Sequence, residues 1–246
     1  MRFPDRKLTS IGQLLDLLRA DLATYAGPAW YRGHRDASWH LEPKLLRGPA
    51  PLTESHLLNR FRQYASLLID HKPDTEFDWM FLMQHHGIST RLLDWSENPL
   101  VGLYFAVAKN TPEDAALWVL FPTLLNSLAN IRPAFEFEIP SFDDTDLRNY
   151  LPSTIANEHR SHLNPVAAIA PRNSARMQAQ QGVFTVSHRD NIFIENIGPP
   201  GTQQDHVFRY VIPAAAKMQI KDDLNRLGVT LFSMFPELSS IASIVE

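Results

Sequence analysis

Three short stretches of this chain hold residues whose types and order suit chemistry. The first is Tyr31-Arg32-Gly33, at the end of the aromatic run Ala29 to Gly33. An arginine near a strand end points a planar fork of donors into the cleft that the strand borders, and the fork matches phosphate or carboxylate. The glycine lets a second backbone or a ligand come close. The competing reading is an arginine held in a structural ion pair. The second stretch is Ser89-Thr90-Arg91-Leu92-Leu93-Asp94-Trp95, set among apolar neighbours. It also reads two ways. Arg91 and Asp94, three apart, form a buried ion pair that pins a corner, with Ser89 and Thr90 bonding locally. Alternatively, Ser89 and Thr90 end a strand that faces a ligand. The third is the Gln-rich stretch Asn173 to Phe184, where Gln181-Gly182 either approaches a ligand or makes a turn.

Other chemistries find little support. The chain has no cysteine, so disulfides, thiolate zinc sites and cysteine nucleophiles are excluded. His85 and His86 are adjacent, and neighbours on a helix point roughly 100° apart. No His-x-x-x-His or His-Glu-x-x-His spacing occurs, so no metal is expected. Glycine-rich dinucleotide loops, Walker loops and Gly-x-Ser-x-Gly elbows are also missing, which disfavours the common nucleotide hydrolases, dinucleotide enzymes and serine hydrolases. The formal net charge is -4 and gives no overall drive toward nucleic acid or anionic membrane. A local exception is the mix of Trp30, Tyr31, Arg32, His34, Arg35, Trp39 and His40, which suits base stacking and phosphate contact. The first residues form no apolar leader, and no apolar run approaches the ~18 residues of a membrane span. These readings predict a cytoplasmic protein with no membrane partner.

The elements that position these residues follow from patterning. The 246 residues are 44% hydrophobic and 20% charged, with no linker-like block, so one domain is expected. Ser10 and Gln13 read as a capping box opening a helix through Leu22. Further helices are predicted from Thr53 through Leu68, and from Phe77 to His86 with Gly87 closing it. Another runs from Pro99 to Lys109 behind Asn98; being apolar nearly all round, it should be buried. Strands are predicted at 29–33, 115–121, 165–170, 183–186 and 207–212. A helix through Ile220, Leu224 and Leu227 ends at Gly228, and a last short helix follows Pro236. Residues 122–164 mix short turns and an acidic patch, Asp143, Asp144 and Asp146. The sum is an α+β fold: a single domain whose mixed or antiparallel sheet is assembled from distant strands with helices packed around it.

In this order the blocks resemble the FRG domain family, named for an aromatic-Arg-Gly motif. Tyr31-Arg32-Gly33 supplies that motif, followed by Trp39, Leu41, Pro43 and Arg47. The second block matches at Gln84, His85, Gly87, Thr90 to Trp95, Asn98, Pro99, Phe105 and Ala106, with Gly102 in place of the usual alanine. Gln180, Gly182 and Phe184 match the third; Leu224, Gly228, Leu231, Phe232, Pro236 and Leu238 fit the fourth. The resemblance implies one FRG-type domain over 1–246, with an N-terminal helix in 1–28 and a core in 29–240. It names the family and leaves the activity open.

The chain also resembles ADP-ribosyltransferases of the Arg-Ser-Glu class. These carry an aromatic-Arg strand, then a Ser-Thr strand before a helix, then a strand with a glutamate. That likeness implies an NAD- or nucleotide-handling enzyme with an ADP-ribosyltransferase-like fold, in a bacterial toxin or phage-defence setting. Arg32, Ser89, Asp94 and Gln181 would be its catalytic residues. Tyr31, Arg32, Gly33, His85, Thr90 and Arg91 would bind NAD as substrate, and a protein or nucleic acid could be the target. No glutamate stands in Gln180 to Phe184, so Asp94 or Glu97 would supply the acid. Two alternatives stand beside it: a non-catalytic ligand-sensing or interaction domain, and a nucleic-acid binding or processing protein.

Overall fold

The computed structural model describes residues 5–48, 53–131, 138–158, 160–198, 206–238, 240 and 241. A two-residue strand that no sequence signal marks, β1 (Arg6–Lys7), is followed by α1 (Ile11–Asp21). Ser10 accepts from the N–H of Gln13, but Gln13 reaches back to the N–H of Thr9, so the capping box is only half made. Next come β2 (Trp30–His34), a 3-10 turn at Lys44–Leu46 and α2 (Glu54–Ala65). α2 stops short of the predicted Leu68, and both Leu67 and Leu68 are exposed. No side chain there points inward, so packing gives no reason to continue the helix.

α3 (Glu76–His85) is opened by a full capping box between Thr75 and Asp78. Gly87, at φ 81°, turns the chain away from α3 in the left-handed region that glycine favours. β3 (Leu92–Ser96) leads into α4 (Pro99–Val107), where Asn98 caps the N–H of Leu100 and Pro99 fills the first turn. α4 buries Val101, Gly102, Leu103, Tyr104, Ala106 and Val107, as its all-round apolar pattern predicts. The rest are β4 (Ala115–Leu120), α5 (Pro122–Leu128), α6 (Pro152–Asn157), β5 (Val166–Ala168), α7 (Ala175–Ala179), β6 (Gly182–Val186), β7 (Val207–Ile212), α8 (Lys217–Arg226) and α9 (Leu231–Met234). α9 lies before Pro236, behind a Thr230 cap; after Pro236 the described residues Leu238, Ser240 and Ile241 are also helical, as the sequence predicts, and the segment then runs into residues outside those described.

The strands form one mixed seven-stranded sheet in the order β1-β7-β4-β2-β3-β6-β5, with β1 parallel to β7 and the other pairs antiparallel. The α+β expectation holds, and apart from β5 and β6 the neighbours in the sheet are far apart in sequence. Three apolar clusters sandwich the sheet. α1, α4 and α8 cover one half through Leu14, Leu103, Ala106, Ile220 and Leu224 against Tyr31, Leu117 and Tyr210. α3 covers the other half, Phe77, Met80 and Phe81 meeting Leu92, Phe184 and Val186. Across the sheet, Trp30, Trp118, Leu93, Trp95 and Val183 alternate onto the opposite face.

The join between the two halves decides where a site can form. β2 pairs with β4 from Trp30↔Leu120 to His34↔Ala116, and β3 pairs with β6 from Leu92↔Val186 to Ser96↔Gly182. β2 and β3 meet only at Tyr31↔Ser96. Beyond that pair the two strands part, and the sheet opens in its middle.

Candidate functional site

The opening is a cleft of about 1050 Å³. Its floor is strand: Tyr31, Arg32 and Gly33 from β2, Asp94 to Ser96 from β3, and Gly182 and Phe184 from β6. α3 provides Asp78, Phe81, Gln84 and His85 on one side; α4 provides Val101, Gly102 and Phe105 on the other. Ser174, Arg176 and Met177 and the segment Ile69 to Thr75 close the ends. The lining mixes aromatic faces with charges of both signs, the composition of a pocket for a polar ligand with a flat apolar part.

Gly33 is part of the floor for a packing reason. A Cβ there would lie 2.1 Å from the Gly102 carbonyl oxygen and 2.3 Å from the Ala106 nitrogen. The backbone that approaches it is that of α4. Gly102 answers from the other side, since a Cβ on it would come 2.9 Å from Tyr31 Cβ. The glycine that stands for the usual alanine is therefore required in this chain.

A polar chain crosses the mouth of the split. Arg32 donates through Nη1 to the Asp94 carbonyl and lies 3.9 Å from its carboxylate. Gln84 Nε2 donates to Asp94 Oδ1 at 2.6 Å, and Gln84 Oε1 accepts from Thr90. Burial pulls the Arg32 guanidinium down to about 10; Asp94 pushes the other way and Arg47 adds to the drop. Arg32 therefore stays charged at neutral pH, and Asp94 is exposed beside it. Arg32 Nε also donates toward His34 Nε2 at 3.1 Å, while Trp118 Nε1 lies 3.2 Å from His34 Nδ1. A neutral imidazole has one accepting nitrogen, so the two donors compete for it.

His34 is 2% exposed and its pKa is lowered to about 2 by burial first and then by the charge of Arg32. An unfolded histidine titrates near 6.5. The unfolded chain thus takes up a proton that the folded chain refuses. Its contribution to stability is complete above about pH 6.5 and is lost as pH falls toward 2. Between pH 7 and pH 5 this amounts to about 2 kcal/mol. Urea unfolding at the two pH values should show a drop of that size, and His34→Gln should flatten it. An equally steep drop in the variant would assign the acid sensitivity elsewhere.

The other residues singled out in the sequence divide into those at the cleft and those away from it. Tyr31, Arg32, Gly33, His85 and Asp94 line it. Burial lowers the His85 pKa, and the charge of Arg176 lowers it further, while Glu237, 3.9 Å away, offsets part of this. Ser89 borders a separate small cavity. Thr90 is buried, bonded to Gln84 and to the N–H of Leu92. Neither lines the large cleft; both border the small cavity.

Arg91 faces away from the cleft altogether. Its Nε donates to Glu54 Oε2 at 2.6 Å, and its other nitrogens donate to the Ser187 and Tyr150 carbonyls. The pairing of Arg91 with Asp94 that their spacing suggests is not formed. Successive strand side chains alternate faces, so residues three apart point to opposite sides; Arg91 pairs with Glu54 and Asp94 lies near Arg32. Gln181 holds φ 45° in the left-handed region, and its carbonyl accepts from the N–H of Glu97. Its neighbours Gln180 and Gly182 are the ones that line the cleft. Glu97 is tied to Arg172, which leaves Asp94 as the acid beside Arg32.

The site reading from sequence missed Gln84, Ser96 and Arg176, while Arg35, singled out for stacking and phosphate contact, lines the cleft. Gln84 was within reach, since it stands in the same motif block as His85. Arg176 and Ser96 carry no local signal, and only the fold brings them to the cleft. Among the described residues no group of three or more histidine or acidic side chains is placed to hold a metal. No helix among them is long and apolar enough to cross a membrane.

Comparison with known families gives one match: the family model of the FRG domain aligns with residues 27–115, from just before β2 to the start of β4. That span holds Arg32, Gly33, Gln84, His85, Asp94 and the whole of α4. Neither a curated protein nor a solved structure matches the chain.

Proposed function

This chain carries an FRG domain at residues 27–115, and we propose that the cleft built on it binds NAD or a related nucleotide and breaks the bond between nicotinamide and ribose, in the manner of an ADP-ribosyltransferase. The observation that carries the reading is the split between β2 and β3. It sets the charged Arg32 and the exposed Asp94 across one gap, at the base of a cleft walled by Phe81, Phe105 and Phe184. Arg32 matches a pyrophosphate in geometry and charge. The aromatic side chains suit flat rings.

In the proposed reaction nicotinamide departs with the electron pair of its bond to the ribose carbon. The ribose is left with oxocarbenium character, and the Asp94 carboxylate stabilises that developing positive charge. Gln84 holds the carboxylate in place. Water, or a nucleophile on a target protein or nucleic acid, then attacks the ribose carbon and releases its proton to solvent. Such a site requires a compartment that holds NAD, which is the cytoplasm. Draining so general a cofactor also suits a bacterial toxin or a phage-defence protein.

The test is nicotinamide release from NAD by the full chain, with NAD binding followed by calorimetry. Asp94→Asn is expected to lower release by 100-fold or more, on the order of the loss when one charge-stabilising group is removed, while NAD still binds. Arg32→Gln should weaken NAD binding by tenfold or more. No release with NAD alone or with lysate, and no NAD binding, would rule the reading out. Binding without turnover, unaltered by Asp94→Asn, would favour a ligand-sensing domain. Gln181, with no carboxylate at the place where the transferase glutamate is expected, is the feature that favours that second reading.

A further inference from the structure

Arg32, Gln84 and Asp94 border a second cavity as well as the cleft. It measures about 260 Å³ and is completed by Lys44, Arg47 and Ser89 with the apolar Leu92 and Leu93. One water takes roughly 30 Å³ of liquid, so the space holds several.

The charges around it are unbalanced. Arg32, Lys44 and Arg47 face it, against Asp94 alone. Asp94 is already bonded to Gln84 and lies near Arg32. Among the described residues no carboxylate pairs with Lys44 or Arg47. Each is instead steadied by a backbone carbonyl, Lys44 by Gly87 at 3.3 Å and Arg47 by Glu42 at 3.1 Å. Each bond uses one donor and leaves others free. Arg47 lies close enough to Arg32 for its charge to add to the burial that lowers the Arg32 guanidinium. Ser89 adds a hydroxyl. The Asp94 carbonyl turns toward β2 to accept from Arg32, and in an antiparallel strand the N–H of the same residue lies on that edge too. Cations gathered round a void with fixed donors and little counter-charge make a receptor for a compact anion.

We propose that this cavity is a subsite for a phosphomonoester, held by Lys44, Arg47 and Arg32, adjoining the ligand in the main cleft. It rests on the nucleotide reading only for that neighbour; the anion chemistry stands on its own residues. The phosphate has two possible sources, an extra phosphate on the nucleotide itself or a separate phosphate ion or ester. Because Arg32 borders both spaces, occupancy of one affects the other.

The experiment is calorimetry on the full chain with inorganic phosphate, adenosine, adenosine monophosphate and an adenosine bisphosphate. Wild type is expected to bind phosphate. The double variant Lys44→Gln with Arg47→Gln should weaken that binding about tenfold or more, with adenosine binding and melting temperature unchanged, since both side chains are exposed. If the phosphate belongs to the nucleotide, the bisphosphate binds about tenfold tighter than the monophosphate, and the double variant loses that gain. If it is separate, phosphate binds in the presence of adenosine. Either pattern supports the subsite. It is overturned if wild type binds neither phosphate nor the bisphosphate preferentially, or if the double variant binds them as wild type does. Failure of the nucleotide reading looks different: phosphate binding persists, while adenosine does not bind and NAD releases no nicotinamide.

Discussion

Gly33→Ala is expected to destabilise the fold by about 3 kcal/mol or more, the upper range for overpacking. A drop in melting temperature of roughly 6–12 °C follows for a chain of this size. The added Cβ would lie 2.1 Å from Gly102 O, 2.3 Å from Ala106 N and 2.9 Å from Phe105 C. All three are backbone atoms of α4, and none can rotate aside as a side-chain end would. Relief requires α4 to lift off β2, which separates Leu103 and Ala106 from Tyr31 and Leu117 in the first core cluster. It also moves the α4 wall of the cleft, so ligand binding should weaken along with stability. Gly12→Ala is the control: nothing lies within 4 Å of its added Cβ, and alanine favours the helix by up to about 1 kcal/mol. Thermal melts of the two variants would show the contrast. A Gly33→Ala protein that melts with wild type would contradict the crossing of α4 over β2.

Arg91→Ala should cost about 3–5 kcal/mol, the range for breaking a buried ion pair by removing one partner. Arg91 is 3% and Glu54 7% exposed. Truncation leaves the Glu54 carboxylate buried with only the Arg91 N–H as donor, at 2.8 Å. It also strips the Ser187 and Tyr150 carbonyls of their partner. These contacts tie α2, the start of β3, the end of β6 and the turn at Tyr150 into one corner. Removing the charge at both ends, with Glu54→Leu and Arg91→Leu together, is expected to cost less than the two single changes added, because no charge is stranded. Denaturant unfolding of the four proteins measures this coupling. If Arg91→Ala instead kept wild-type stability and lost ligand binding, Arg91 would belong to the site and not to the frame.

These residues show what can be read along the chain and what cannot. The Ser10 and Thr53 caps, Asn98-Pro99 and Gly87 are local, since each completes its hydrogen bond or turn within a few residues. Helices α1 to α4 and α8, and strands β2 and β4 to β7, were therefore legible; β3 and the short helices α5 to α7 were not marked. β1 was not, because two residues acquire strand geometry only by pairing with β7, some two hundred positions away. Leu68 misled, because periodicity records which side chains are apolar and cannot tell whether a neighbour arrives to cover them.

The same division runs through the site. The family resemblance grouped an aromatic-Arg-Gly strand, a Thr-Arg-Leu-Leu-Asp-Trp segment and a Gln-x-Gly-x-Phe strand, because those patterns are written in consecutive residues, and the sheet brings the three to one cleft. Their partners were settled in three dimensions. Spacing coupled Arg91 to Asp94; strand alternation sent them to opposite sides, to Glu54 and to Arg32. The glycine of the motif offered room for a ligand or a backbone, and the course of α4 made it a backbone. Whether β2 and β3 zip together or part depends on how both halves of the sheet pack against α3 and α4. That long-range balance opens the cleft, and no local run of residues encodes it.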